Sequence, residues 1–300
     1  MKSVAMKSLA LAAFLSLTLS GVASADDFLV TSKIGGVVIG SVGGSTTIIH
    51  VAASAIEQLA EDRNGDIYVP NAGDNNILLL QWSDGRATKT TSVFASGVGA
   101  PRGVAFDPSG NLYEAEAAGK INVFIRSVVG LSNHPVLFAD GSAGHANLSG
   151  DREPINLAFD AEGNLYLSTK AAGILKFPRT AAGLSPQPKI FSKMAARELA
   201  FDREGNLFIA SGAGGKPGIY EFQHGPNGLS GAADLFSASS ELNDPGDIAV
   251  TADGHLLVAN CGGSNLLLYA RSDQNLLNVP TVCGSGFPEP DYILVLKPSP

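Results

Sequence analysis

The chain repeats a short pattern of apolar and polar positions. In each repeat, an apolar residue precedes an alanine, and in four of the five repeats a second apolar residue follows it. A polar turn ending in glycine comes next, and a second apolar run begins after it. The turn glycines are Gly65, Gly110, Gly163, Gly205 and Gly254, so consecutive repeats are 45, 53, 42 and 49 residues apart. A period of this length with strand-like content predicts the blades of a β-propeller.

Each repeat predicts four antiparallel strands. In the turn between the first two strands, as in Asp107 to Gly110, the aspartate should accept backbone N–H groups while the glycine takes a positive φ. A third apolar segment follows, for example Ile121 to Phe124, and a fourth ends in phenylalanine and a small residue, as at Phe138 and Ala139. Four such strands make one propeller blade.

The two ends of the chain predict one more blade. Phe28 to Thr31 and the next two apolar segments, 36–39 and 46–52, supply strands two to four of a blade that lacks its first strand. Residues 290–295 fit the first-strand pattern. We therefore expect an all-β, six-bladed β-propeller over residues 26–300, in which the C-terminal strand completes the N-terminal blade and leaves no free sheet edge there.

The first 25 residues have the pattern of a secretory signal peptide. Lys2 and Lys7 precede an apolar run that ends at Leu19, and Ala23 and Ala25 form a small-residue cleavage site. The run is too short for a membrane span. We expect residues 1–25 to be removed, giving a secreted or periplasmic protein without an integral membrane segment.

Charge and cysteine content narrow the possible partners. The chain has 20 Lys and Arg against 28 Asp and Glu, and without Lys2 and Lys7 the balance is 18 − 28 = −10. This balance argues against nucleic acid or an anionic membrane as a partner. Cys261 and Cys283 are the two cysteines, and an even count in an exported chain permits a disulfide. The alternative is two buried thiols.

The amino-acid sequence of the repeat resembles that of a known family. Pro101 to Tyr113, with the later Gly119 to Phe124, is similar to the NHL repeat and more loosely to the gluconolactonase and senescence-marker propellers. The resemblance spans essentially the whole mature chain and implies the propeller fold. It leaves function open, because these propellers include scaffolds, binding domains, lactonases and lyases.

Polar residues lie where the loops enter the innermost strands, at one mouth of the predicted central channel. The candidates for ligand binding are Glu57, Arg102, Glu153, Arg197 and Asp244. The two arginines could grip a carboxylate or phosphate of a polar ligand. Alternatively, these charges neutralise one another around a water-filled channel.

The looser resemblance, to gluconolactonases, implies an acidic and amide metal site on the inner strands. Five residues before the turn, the repeats carry Glu57, Arg102, Ile155, Arg197 and Gly246, of which only Glu57 could bind a cation. One position later, ligand-type side chains occur at Gln58, Asn156, Glu198 and Asp247. A shift of one residue reverses the face of a strand, so the register decides between the two sets.

These patterns predict two functions. The first is a binding protein that recognises a protein, peptide or carbohydrate through its top-face loops, without a cofactor. The alternative is a lactonase-like hydrolase that holds Ca²⁺ or Zn²⁺ in the channel and uses one carboxylate as a general base. The five histidines fall at different repeat positions, which argues against a third possibility, a lyase acting on a cyclic ester.

Overall fold

The repeats form four-stranded antiparallel blades in the computed structural model of the chain, which is an all-β propeller. The structure describes residues 18–19, 28–32, 37–42, 45–51, 53, 55–83, 86–140, 148, 150–211, 218–272, 275–285, 287 and 289–296. Of the predicted signal peptide, only the backbone of Thr18 and Leu19 lies within these residues. No helix in the described part of the chain is long and apolar enough to cross a membrane.

Sheets 2 to 5 each use four strands in chain order. Sheet 2 contains Ala60–Glu61, Ile67–Asn71, Asn76–Ser83 and Arg86–Ser96. Sheet 3 contains Pro101–Phe106, Leu112–Glu116, Lys120–Phe124 and Val136–Ala139. Sheet 4 contains Pro154–Phe159, Leu165–Thr169, Ile174–Phe177 and Lys189–Ser192. Sheet 5 contains Glu198–Phe201, Leu207–Ser211, Gly218–Phe222 and Asp234–Ser237.

Sheets 6 and 1 bring the ends of the chain together. Sheet 6 contains Pro245–Val250, Leu256–Asn260, Asn265–Tyr269 and Thr281–Ser285, and Thr18–Leu19 pairs with the outer edge of its last strand. Sheet 1 contains Phe28–Ser32, Val37–Val42, Ser45–His50 and, from the C-terminus, Pro290–Val295. Pro290–Val295 pairs antiparallel with Phe28–Ser32, as the sequence predicted.

Short hairpins and 3₁₀ turns lie between the main strands. Four two-stranded hairpins occur in sheets 3 to 6, and they are Arg126–Ser127 with Gly130–Leu131, Arg179–Thr180 with Gly183–Leu184, His224–Gly225 with Gly228–Leu229, and Arg271–Ser272 with Asn275–Leu276. Within the described residues, two 3₁₀ turns, Gly150–Arg152 and Cys261–Gly263, lie in loops.

The turn between the first and second strands has the predicted chemistry. The Oδ1 atom of Asp107 accepts the backbone N–H groups of Ser109 and Asn111 at 2.9 Å each. Gly110 has a φ of 87°, which an L side chain rarely adopts. The carboxylates of Asp160 and Asp202 accept the corresponding N–H groups of their own turns. These turns end the innermost strands at one face of the propeller.

Apolar side chains join each sheet to the next. In sheet 3, the ring of Tyr113 contacts Phe138 of its own sheet at 5.3 Å and Phe159 of sheet 4 at 5.2 Å between centroids. Tyr166 of sheet 4 makes the same two contacts with Phe191 and Phe201, at 5.3 and 5.2 Å. The first strands of consecutive sheets from 2 to 6 also contact one another, as do those of sheets 6 and 1, so these strands are the innermost ones.

Of the two alternatives that the sequence left open for the cysteines, a disulfide or two buried thiols, the structure contains the thiols. Cys261 and Cys283 are both buried and both remain thiols. Cys261 follows the second strand of sheet 6 and Cys283 lies on the fourth, with the third strand between them. Two strand steps of about 4.8 Å each separate them further than the roughly 7 Å that a disulfide can span between Cα atoms. Burial raises the pKa of Cys283 to about 12.

Candidate functional site

A ring of polar side chains lies near the start of the first strands, at the face opposite the turns. The same repeat position supplies all of its members, which we call the channel ring: Gln58, Gly103, Asn156, Glu198, Asp247 and Tyr292. Asn156 and Glu198 are each 1% exposed, Asp247 is 4% exposed and Tyr292 is 6% exposed. The position one residue later than the expected one therefore carries the buried polar groups.

A β-bulge explains this register. The pairing of the first with the second strand slips by one residue at Arg102 in sheet 3, at Ile155 in sheet 4 and at Gly246 in sheet 6. A bulge inserts one unpaired residue and turns the side chains around it. Simple alternation of faces therefore fails at the one place in the strand where the two candidate sets differ.

Asn156 and Glu198 form the most deeply buried contact of the ring. The Nδ2 atom of Asn156 donates a hydrogen bond to the Oε2 atom of Glu198. The Oδ1 atom of Asn156 is buried and has no hydrogen-bond partner among the described residues. Burial raises the pKa of Glu198 well above its usual range, and the nearby carboxyl groups of Asp247 and Asp291 raise it further. Its surroundings therefore favour the protonated form, and a cation beside it would favour the ionised form.

Asp247 is bound to the backbone on both sides. Its Oδ1 accepts the N–H of Ile248 and its Oδ2 accepts the N–H of Ile293, each at 2.6 Å. Burial raises its pKa to about 8, although these two hydrogen bonds favour the ionised form. Because Ile293 belongs to the C-terminal strand, this carboxyl group ties sheet 6 to sheet 1.

Tyr292 of the ring binds the carboxylate of Glu57. Its hydroxyl donates a hydrogen bond of 2.7 Å to the Oε2 atom of Glu57. Burial raises the pKa of Tyr292 far above its usual range, and Glu198 and Glu57 add to the shift. The phenol therefore stays protonated and acts as a donor.

Gln58 is engaged on the other side of the ring. Its Nε2 donates to the carbonyl of Leu157 at 2.9 Å, and its Oε1 accepts the N–H of Leu157 at 3.1 Å. Gly103 lies between them, since a Cβ atom there would come within 3.1 Å of the Leu157 nitrogen and 3.2 Å of the Gln58 oxygen. Gln58 thus completes the backbone pairing of sheet 4, a role that occupies both ends of its amide.

The predicted mouth residues pair with carboxylates or with one another. Arg102 contacts Glu153 at 3.0 Å, and Glu153 also contacts Lys170 at 3.1 Å. Arg197 contacts Asp244 at 3.3 Å and Asp291 at 3.8 Å. Burial acts to lower the pKa of Arg197, but these two carboxylates raise it overall. Both arginines therefore already have intramolecular counter-ions.

Two groups of predicted residues result. Around Glu198 the fold gathers one set, which we call the channel cluster: Glu57, Arg197, Glu198, Asp244, Asp247, Asp291 and Tyr292. Arg102 and Glu153 form a separate pair. The first-strand pattern of residues 290–295 places Asp291 and Tyr292 at positions equivalent to Arg197 and Glu198, and it therefore predicts them at the same mouth of the channel.

Two of the four predicted metal ligands have oxygen atoms that could bind a divalent metal ion. The unpartnered Asn156 oxygen and the buried Glu198 carboxyl group are oxygen ligands of the kind that Ca²⁺ prefers. Gln58 and Asp247, in contrast, already use their oxygens for backbone N–H groups. Among the described residues, no three His, Cys, Asp or Glu side chains converge in a way that could hold a metal ion. Asn156 and Glu198 therefore fit such an ion, and the full predicted set of four does not.

Comparison with known proteins identifies the fold. No protein-family model matches the chain, and no curated protein matches it. Three similar solved structures are a nidogen/laminin complex (13% identity, 91% of this chain and 98% of that chain, TM-score 0.65), a putative 6-phosphogluconolactonase from Bacteroides uniformis (17%, 93% and 87%, 0.62) and a gluconolactonase from Xanthomonas campestris (16%, 85% and 85%, 0.56). At these identities the similarity establishes the propeller fold alone.

Proposed function

We propose that the chain is an exported, six-bladed propeller that binds a positively charged group of a protein or peptide at its channel mouth. The signal-peptide pattern of residues 1–25 supports export. The six-bladed ring is supported by apolar packing on both sides of sheet 1. Phe28 and Val30 pack with Leu257 of sheet 6, and Leu29 packs with Ile67 of sheet 2.

The main support for this proposal is the excess of carboxyl groups over cationic groups in the channel cluster. Its described members include five carboxyl groups, those of Glu57, Glu198, Asp244, Asp247 and Asp291, against the single guanidinium of Arg197. Buried carboxyl groups without a counter-charge lower stability or take up protons. A protein gains little stability from such a cluster, and a bound cation would supply the missing positive charge.

A cationic ligand group has a route to this cluster. The side chains of Asp244 and Arg197 are 52% and 36% exposed, whereas Glu198 and Asp247 behind them are buried. An approaching ammonium group would meet the exposed carboxylates first. Its charge would lower the pKa of Glu198 and Asp247 and release their protons. Carbohydrate hydroxyl groups carry no such charge, so a basic protein or peptide is the ligand class that this site favours.

A second candidate function is a metal-dependent, lactonase-like hydrolase. The unpartnered Oδ1 atom of Asn156 beside Glu198 favours it. Asn156 and Glu198 would hold Ca²⁺ or Zn²⁺, and a bound ion of this kind supplies Lewis acidity toward a carbonyl group. Asp247 would keep its backbone contacts, and the Tyr292 hydroxyl would keep its hydrogen bond to Glu57 and so hold that carboxylate at the site.

Thermal melts of the mature domain separate the two functions. The EDTA-treated protein is melted with spermidine, with a lysine-rich peptide and its acetylated form, and with Ca²⁺, Zn²⁺, Mn²⁺ and Mg²⁺ in turn. A site filled at about 100 times its Kd adds roughly 2.7 kcal/mol, or about 5–10 °C for a domain of this size.

The control variant is Glu198→Gln, which keeps the size and hydrogen bonding of the side chain. Stabilisation by the lysine peptide that is lost on acetylation and in Glu198→Gln supports the binding function. Stabilisation by a single metal ion alone supports the hydrolase and calls for a screen of lactones. No stabilisation by any of these cations, or equal stabilisation of Glu198→Gln, contradicts both.

A further inference from the structure

Each of the four small hairpins begins two residues after the end of a third strand, and its first residue is Arg126, Arg179, His224 or Arg271. A hairpin-turn side chain holds the backbone N–H of this residue in every case: Asn111 for Arg126 (2.9 Å), Asn164 for Arg179 (2.8 Å), Asn206 for His224 (2.8 Å) and His255 for Arg271 (3.1 Å). The side chain then lies over the turn glycine of its own sheet. The backbone is therefore the same in all four sheets, and only the side chain differs.

In sheets 3 and 6, an arginine at this position fills a slot between two sheets. Arg126 donates to the carbonyl of Gly110 at 3.0 Å and contacts Asp62 of sheet 2 at 2.7 Å. Arg271 donates to the carbonyl of Gly254 at 3.0 Å and contacts Asp202 and Glu204 of sheet 5 at 3.6 and 3.4 Å. Each slot thus consists of a glycine carbonyl and the turn carboxylate of the preceding sheet.

Sheet 5 has the same slot without the arginine. His224 takes the position and lines a cavity of about 270 Å³ between sheets 4 and 5. Asp160 and Glu162 line this cavity at the positions that Asp202 and Glu204 take around Arg271. We call the cavity the His224 slot.

The walls of the His224 slot suit a planar cation. Tyr166 and Phe201 contribute aromatic rings, and the buried hydroxyl of Tyr166 has no hydrogen-bond partner among the described residues. Burial and the neighbouring Asp160 raise the pKa of that hydroxyl. A cation already uses this surface, since the Nζ atom of Lys176 lies 5.0 Å from the Tyr166 ring centre and 3.8 Å from Asp160. Lys176 pairs with Asp160, whereas Glu162, the second carboxylate of the slot, lies in an exposed position.

We propose that the His224 slot binds a guanidinium group, the arginine side chain of a peptide or protein partner. The occupant would take the place that Arg126 and Arg271 take in their own slots. A guanidinium fits better than an ammonium because its planar donors can reach a carboxylate and a carbonyl together and can stack on an aromatic ring. The slot lies at the turn face, about 15–20 Å along the first strands from the channel cluster, and does not depend on the function proposed there.

Calorimetric titration of the mature domain with N-acetyl-arginine methylamide tests the proposal. The matched probe is N-acetyl-citrulline methylamide, which has the same shape but no charge. We expect the arginine probe to bind at least about tenfold more tightly, since charge-assisted hydrogen bonds are lost with citrulline. Equal affinity of the two probes would overturn the proposal.

Three variants locate the binding. His224→Arg should fill the slot from within, abolish binding of the probe and raise Tm. Glu162→Gln, at an exposed position that should not affect folding, should weaken binding about tenfold. Lys176→Met removes the competing ammonium and should strengthen binding. Unchanged affinity in Glu162→Gln, or binding to His224→Arg as strong as to the wild type, would contradict the assignment. Glu198→Gln should bind the probe normally, which separates this site from the channel.

Discussion

Carboxyl groups are buried at both ends of the innermost strands, but their hydrogen bonds and counter-charges differ between the two ends. At the turn end, Asp107 accepts two backbone N–H groups and the amide of Asn111, and Asp62 receives Arg126 from the next sheet. At the channel end, Glu198 is buried next to Asp247 and Asp291 with one nearby guanidinium, that of Arg197. The pKa of Glu198 is raised well above its usual range as a result.

The difference separates structural from functional acidic residues. A buried carboxylate stabilises a fold only when donors or a counter-charge compensate its lost hydration. The turn carboxylates meet that condition and are explained by the stability of the hairpins. Glu198 meets it only in part, since it accepts one hydrogen bond from Asn156 and lies near Arg197. That guanidinium also pairs with Asp244 and Asp291, which is the physical reason to look for a further counter-charge in a ligand.

Loss of the ion pair between Arg126 and Asp62 should lower the stability of the protein most. Arg126→Ala leaves the Asp62 carboxylate, whose side chain is 2% exposed, without its guanidinium partner. We expect the free energy of unfolding to fall by about 2–4 kcal/mol in urea titrations. The control is Arg203→Ala, which breaks an exposed pair with Glu204 and should cost less than about 0.5 kcal/mol. Equal losses in the two variants would show that the buried contact has no special role.

Asp247→Asn should have the next largest effect. The amide keeps the volume of the side chain, but its NH₂ group cannot accept the backbone N–H that one of the two carboxylate oxygens now accepts. We expect a loss of about 1–3 kcal/mol in the free energy of unfolding, measured in the same titrations. Glu198→Gln is the contrasting variant and should be neutral or stabilising. A larger loss for Glu198→Gln than for Asp247→Asn would reverse our assignment of the two roles.

The raised pKa values predict a pH dependence of stability. Burial raises the pKa of Asp247 and of Glu114, a fully buried residue of sheet 3, to about 8 in each case. The folded chain therefore keeps protons that the unfolded chain releases at lower pH. Stability from these groups is fully present below the unfolded pKa values near 4 and is lost as pH rises to about 8.

Thermal melts between about pH 5 and about pH 8.5 measure this loss. Tm should fall over that range, and Glu114→Gln should flatten the decrease because it removes one of the titrating groups. A Glu114→Gln profile parallel to that of the wild type would contradict the raised pKa of Glu114.

Tyr292→Phe should have the smallest effect. It removes a single, partly buried hydrogen bond to Glu57 and leaves the packing of the ring in place. A loss of about 0.5–1.5 kcal/mol in the free energy of unfolding is expected. A loss above that range would mean that the hydroxyl has further partners in the cluster.

Much of the fold could be predicted because its signals are local. Asp107, Gly110 and the apolar segments beside them specify a hairpin through backbone hydrogen bonds and a positive φ, and the chain repeats them. The pairing of residues 290–295 with the N-terminal strand also followed from the repeat, because only one first strand was missing.

The details of the site depend on features that no local pattern carries. The bulges at Arg102, Ile155 and Gly246 decide which repeat position is buried, and they have no shared residue type. The ion pair of Arg102 with Glu153 and the backbone contacts of Gln58 and Asp247 join different sheets. Alignment of the four hairpins could have revealed His224 as the exception among arginines, but the cavity beside it requires the packed sheets.

Infrared spectroscopy can show whether the Glu198 carboxyl group, which is buried among other carboxyl groups near a single guanidinium, is protonated in the folded protein. A Glu114→Gln background removes the similar buried group of sheet 3. At pH 7 this protein should show the carbonyl band of a buried, protonated carboxylic acid that weakens when Glu198→Gln is added. A spectrum without such a band, or one that Glu198→Gln leaves unchanged, would contradict the account.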